Sequence, residues 1–199
     1  MKGKHKMSNK KKTNEKVSIT KQNKTPFWVW ALALVPAVSA AVFFAIAAGL
    51  IPSVALDVFY ETEAGDIAWH TSSILVLLVT MAVWAACGFV YGYFRAKMPV
   101  AVLTFHALPI VCTLVYTVCV TVLLFGGDFN LGIEVLGAPL TAENLALLSA
   151  MGMGLFSYID SFIYAIVYTG NFGLYLDLMF MALIFLVGFA IGKSRRLKA

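Results

Sequence analysis

Four apolar runs separated by short polar stretches set the pattern of this chain. Residues 27–51, 69–94, 100–125 and 174–192 each hold close to or more than the roughly 20 residues that cross a bilayer as a helix. Each therefore predicts a transmembrane helix. A further segment, 141–168, is apolar enough to enter a membrane but is interrupted. Thr141 is placed to cap its start, Glu143 falls in the first turn, and Gly152 and Gly154 weaken it midway. Beyond them Ser157, Asp160, Ser161, Tyr164 and Tyr168 form one polar stripe at helical spacing. Residues 1–25 are polar, lysine-rich and almost free of large apolar side chains, which predicts a disordered tail. Residues 26–196 then make one helical membrane domain.

The runs repeat. Gly88-Phe89-Val90-Tyr91-Gly92-Tyr93-Phe94-Arg95 closes the second, and Gly188-Phe189-Ala190-Ile191-Gly192-Lys193-Ser194-Arg195 closes the last. Pro26 and Pro36 open the first run, as Pro99 and Pro109 open the third. Each half thus starts on two prolines and ends Gly-Phe-x-x-Gly-x-x-Arg, which predicts two related hairpins running in the same direction. Glycines four apart present a flat helix face for close packing. Ala37, Ala41, Ala45 and Gly49 predict a second small-residue face on the first helix. Pro36 predicts a bend in the first helix, one turn or more inside its start.

Composition agrees with a membrane protein: 61% of residues are hydrophobic and 13% are charged, against roughly 25% charged in a soluble domain. The signs are segregated. Nine lysines lie between Lys2 and Lys24, followed by Arg95 and Lys97, and then by Lys193, Arg195, Arg196 and Lys198. Nine of the ten acids fall between these clusters, and only Glu15 lies within one. Basic residues mark cytoplasmic ends, so both termini are expected in the cytoplasm of a multi-pass cell-membrane protein. If 141–168 crossed completely, the final four basic residues would face outward, against this bias. The preferred reading is an all-α integral membrane protein with four transmembrane helices, two hairpin repeats, and 141–168 as an inserted re-entrant or interfacial helix. The alternative is five transmembrane helices. The Ala37–Ala40 stretch has the small residues of a cleavage site, but the length of the apolar run favours an uncleaved anchor.

Charge also narrows the chemistry. Asp160 sits in an otherwise uncharged run, and a carboxylate at membrane depth is costly and often functional. His106, one turn before Pro109, is a candidate proton carrier. Asp177 lies one turn into the last helix, where the positive helix end accounts for a surface carboxylate. These three form the candidate ligand or proton path. The acidic residues Asp57, Glu61, Glu63 and Asp66 match no calcium-loop spacing and read as a solvated outer loop. Cys87, Cys112 and Cys119 lie in apolar runs without a metal or disulfide pattern and read as packing residues.

No nucleophile elbow, phosphate loop or paired metal ligands occur. No catalytic residue, metal or cofactor is therefore expected. The expected partners are the bilayer itself, anionic lipid headgroups at the N-terminal lysines, and a homo- or hetero-oligomer through the glycine faces. Nucleic acid is not among them. The leading functional reading is a small transporter or a transporter's accessory subunit. An assembly or regulatory partner is the alternative, and an intramembrane enzyme is less favoured.

Overall fold

The computed structural model describes residues 25–56, 58–135, 137–158 and 173–198. The lysine-rich tail and Asp160 lie outside the described residues. Four helices are long and apolar enough to cross a membrane: α1, Phe27–Ala47; α2, Thr71–Tyr93; α4, Ala107–Leu124; and α6, Gly173–Lys198. Two shorter helices complete the set, α3 at Met98–Phe105 and α5 at Ala142–Met151. The protein is thus mostly helical and fits a membrane bundle.

It is not all helical, however. β1, Phe59–Glu61, pairs antiparallel with β2, Ile67–Trp69. β3, Asn130–Val135, pairs antiparallel with β4, Ala138–Thr141. The connections expected as plain loops are therefore short β-ribbons. The first has a local cause: Asp66 N–H donates to Thr62 Oγ1 and Thr62 N–H to the Asp66 carbonyl, and Gly65 supplies the positive φ of the turn. Phe59 and Trp69 face each other across the ribbon with ring centroids 6.3 Å apart.

The first helix is irregular ahead of Pro36, as expected, and the third apolar run is broken near Pro109, which was not expected. A 3-10 turn at Ala31–Leu34 precedes Pro36, and regular helix resumes at Val35. Pro109 has no N–H to offer Phe105, the residue four before it, and its ring crowds that carbonyl. The third apolar run accordingly divides into α3 and α4 at His106, whose φ is −96° and ψ 15°.

The most extensive contact is between α2 and α6. They run parallel and in reciprocal register. A Cβ added at Gly88 would meet the Phe185 carbonyl, and one at Gly92 the Phe189 carbonyl. One at Gly188 would meet the Ala85 carbonyl, and one at Gly192 the Phe89 carbonyl. Backbone therefore lies on backbone, a distance only glycine allows, with Cα–H groups against carbonyl oxygens. α1 runs antiparallel to α2: Trp28 stacks edge-on to Phe94 at 5.0 Å and Trp30 to Tyr91 at 5.5 Å. α4 runs antiparallel to α6, with His106 beside Phe185 and Thr117 beside Tyr175.

Charge follows these directions. Arg95, Lys97, Lys193, Arg195 and Arg196 gather at one end of the bundle, and the loops carrying Glu63, Asp66, Asp128, Glu134 and Glu143 occupy the other.

α5 starts beside the β3–β4 ribbon, where Asn144 N–H donates to Thr141 Oγ1 at 3.2 Å. Replacing Thr141 with alanine should cost about 1 kcal/mol, read as a lower melting temperature in detergent. α5 ends at Met151, next to Gly152, and a 3-10 turn follows at Gly154–Phe156. This turn packs on α1: Leu155 N–H donates to Ser39 Oγ at 3.1 Å. Phe156 is fully buried against Trp84 of α2, ring centroids 4.8 Å apart. Tyr158 O–H and Ser73 O–H both donate to the Ala55 carbonyl, at 2.9 and 2.8 Å, tying the segment to the α1–β1 connection.

The small-residue face of α1 behaves differently from the glycines. Ala37, Ala41 and Gly49 are exposed, and Ala45 is half-buried. The packed face is Pro36, Ser39, Ala40, Phe43 and Ile46.

Candidate functional site

Two ionisable side chains of the apolar helices are fully buried, His106 at the α3–α4 break and Asp177 near the start of α6. His106 is 1% exposed and Asp177 0%. The break at Pro109 turns the imidazole inward. Its Nδ1 lies 3.0 Å from the Val102 carbonyl, which also accepts the His106 backbone N–H. That contact assigns Nδ1 as the protonated nitrogen. Nε2 is buried and no described residue meets it in hydrogen-bonding geometry, although the Met181 backbone also lies against the ring.

Aromatic rings enclose this imidazole. Phe105 lies 5.1 Å from it and Phe185 5.2 Å, both edge-to-face. Phe105 also meets Trp84 at 5.3 Å and Tyr91 at 6.2 Å. The Trp84 indole N–H and the Tyr91 hydroxyl are buried, and neither has a hydrogen-bond partner among the described residues. Three polar atoms so placed are unusual, because a buried polar atom left unpaired costs roughly 1–3 kcal/mol. Such groups are commonly met by water, an ion or a substrate group.

Asp177 was expected at the surface near the start of its helix. The structure instead buries it on α6, two turns outward of Phe185. Going inward from the acidic end, the interior thus presents Asp177, then His106, then Tyr91. A threonine row on α4 runs from the buried Thr113, which faces Met153, to the exposed Thr121. Thr113, Thr117 and Thr121 each donate to the carbonyl four residues earlier, and Thr117 Oγ1 lies 2.6 Å from the Tyr175 hydroxyl. Of the three path residues read from sequence, His106 and Asp177 share this interior, and Asp160 falls outside the described residues.

The other features point elsewhere. Cys112 packs against Gly152, while His106 turns toward Phe105 and Phe185, so those two are not arranged as nucleophile and base. Cys87 and Cys119 are buried free thiols. A lateral groove between α1 and α2, lined by valines and by Leu155, holds about 170 Å³. That is below the roughly 300 Å³ of small-molecule sites, and its lining suits a lipid chain better than a substrate.

No family model matches this chain, and neither a curated protein nor a solved structure does. Its function is therefore argued from these side chains alone.

Trp84 and Tyr91 were not singled out from sequence as site residues. Spacing would have found them: Trp84, Tyr91 and the Gly88/Gly92 pair recur at three to four residues and share one face of α2.

Proposed function

We propose that this chain is a small proton-linked transporter, or the membrane subunit of one, with His106 and Asp177 as its proton-bearing groups. The observation that carries this reading is the buried His106 imidazole, held by the Val102 carbonyl at a proline-made helix break and otherwise enclosed by aromatic rings and the Met181 backbone. Ionisable groups inside membrane helices are costly to keep and mark ion pathways and proton relays. Asp177 outward and Tyr91 inward extend the same interior file.

The topology we propose with it has four crossings and cytoplasmic termini. Residues 141–168 would enter from the outside and return there, and α1–α2 and α3–α4 with α6 would be related halves. Three observations support it: the parallel run of α2 and α6, the reciprocal glycine contact between them, and the basic residues collected at one end of the bundle.

The test is proton flux into vesicles holding the purified protein, driven by a potassium diffusion potential and read with a trapped pH-sensitive dye. The wild type should acidify the lumen well above empty vesicles. His106→Gln, which keeps size and hydrogen bonding but does not titrate, should slow flux by roughly 10²-fold, and Asp177→Asn should act in the same direction. Flux equal to empty vesicles in the wild type, or unchanged in His106→Gln, defeats the carrier reading.

A second reading is favoured by one observation: the exposed Ala37 and Ala41 on α1 suit the close approach of another subunit's helix, whereas Gly49 lies in the turn beyond the helix at φ 72°. A correctly folded wild type that moves no protons would leave that assembly role as the better account.

A further inference from the structure

At the basic end, α2 stops abruptly. Ala96 N–H closes back onto the Tyr91 carbonyl at 3.1 Å, which puts Arg95 in the left-handed region at φ 64°. It is the one described non-glycine residue with a positive φ. Glycine would make the same turn without strain. An arginine kept there, against its backbone preference, points to a use for its guanidinium.

The turn borders a cavity of about 600 Å³, within the range of ligand sites. Its floor is Gly92 and Phe189, and four cations line it: Arg95 and Lys97 from the turn, Lys193 and Arg196 from the end of α6. Among the described residues no carboxylate lines it. Arg196 is half-buried, and its Nη1 rests 3.5 Å from the Gly92 carbonyl, which holds its planar head over the cavity. Lys97, Lys193 and Arg196 around one hollow repel each other, and an anion between them relieves that repulsion. Arginine forks match the oxygens of a phosphate, and lysines add point charge. Met98 and Leu197, both exposed, add an apolar rim.

We propose that this cavity binds a phosphate group, that of an acidic phospholipid headgroup whose chains lie along the rim. The site is distinct from the interior file, and it stands whether or not the chain carries protons.

The test uses the full chain in detergent, with bound lipid counted by native mass spectrometry after exposure to phosphatidylglycerol or phosphatidylcholine. Inorganic phosphate is titrated in a parallel arm. The wild type should retain phosphatidylglycerol over phosphatidylcholine. A Lys97→Gln, Lys193→Gln, Arg196→Gln variant should bind it roughly 100-fold more weakly. The N-terminal lysines are the same in both proteins, so the difference belongs to the cavity. Arg95→Gly should also weaken retention while melting at or above the wild-type temperature, which separates lost binding from lost folding. Inorganic phosphate binding that displaces the lipid, and is lost in the same variants, would identify the same site with a soluble occupant. Equal phosphatidylglycerol retention in the wild type and the triple variant, or binding of neither probe, would overturn the proposal.

Discussion

Gly88→Ile should cost at least about 3 kcal/mol of stability, at the top of the range for overpacking. The usual relief, a side chain shifting aside, is not available. The obstacle is the Phe185 carbonyl, and α6 would have to move bodily away from α2. Adding Gly92→Ile against the Phe189 carbonyl should leave no folded population in mild detergent. Isoleucine is at home in a membrane helix, so insertion should be normal and the loss purely steric. Unfolding in increasing sodium dodecyl sulfate, followed by far-ultraviolet dichroism and by tryptophan emission, measures it. The contact lies within one chain, so the monomer itself should be destabilised. A variant that stays as stable as the wild type and only loses an oligomer would contradict the reciprocal α2–α6 register.

Gly154→Ala should cost about 3 kcal/mol, although it adds a single methyl group. Gly154 has φ +69°, a conformation that costs an alanine roughly 1–2 kcal/mol. The new Cβ would also lie 2.6 Å from Ser39 Oγ and 2.8 Å from the Ala40 nitrogen. Crowding of this kind adds roughly 1–3 kcal/mol, and it bears on the oxygen that accepts the Leu155 N–H. Accelerated proteolysis between α5 and α6 in detergent, together with an earlier melt, is the expected result. Wild-type resistance would show that the Gly154–Phe156 turn does not sit against α1.

These two glycine sites were not equally legible in the sequence. Gly88 and Gly92, with Gly188 and Gly192, stood out because an identical spacing closed two apolar runs just before a basic residue. Gly154 was readable only as a helix breaker, since nothing local tells that Ser39 will lie opposite it. The face of Ala37, Ala41 and Gly49 shows a deeper limit. In water, periodicity reveals which face is buried, because one side is polar. In a membrane both lipid and protein interior are apolar, so the repeat locates a face without saying which way it turns. α1 turns its Ser39 and Phe43 side inward instead.

The site was partly legible for related reasons. His106 could be flagged because an ionisable residue is rare in an apolar run, but the break at Pro109 that aims it was not foreseen, because proline served there only as a mark of the repeat. Asp177 was assigned to the surface because a position near a helix end does not reveal how deeply neighbouring segments cover it. The β-ribbons escaped because strands of three to six residues are too short to display a clear alternation. Arg95 escaped because a left-handed turn normally announces itself by glycine.

The reciprocal glycine contact has a mechanical consequence. Two helices in backbone contact along successive turns have no side chains between them to repack, so they can neither slide nor tilt without separating. α2 and α6 therefore act as the fixed post of the bundle. If the chain carries protons as proposed, the rocking that admits water to His106 falls to α1 and α4 swinging against that post, with the Leu155–Phe156 turn lodged between α1 and α2.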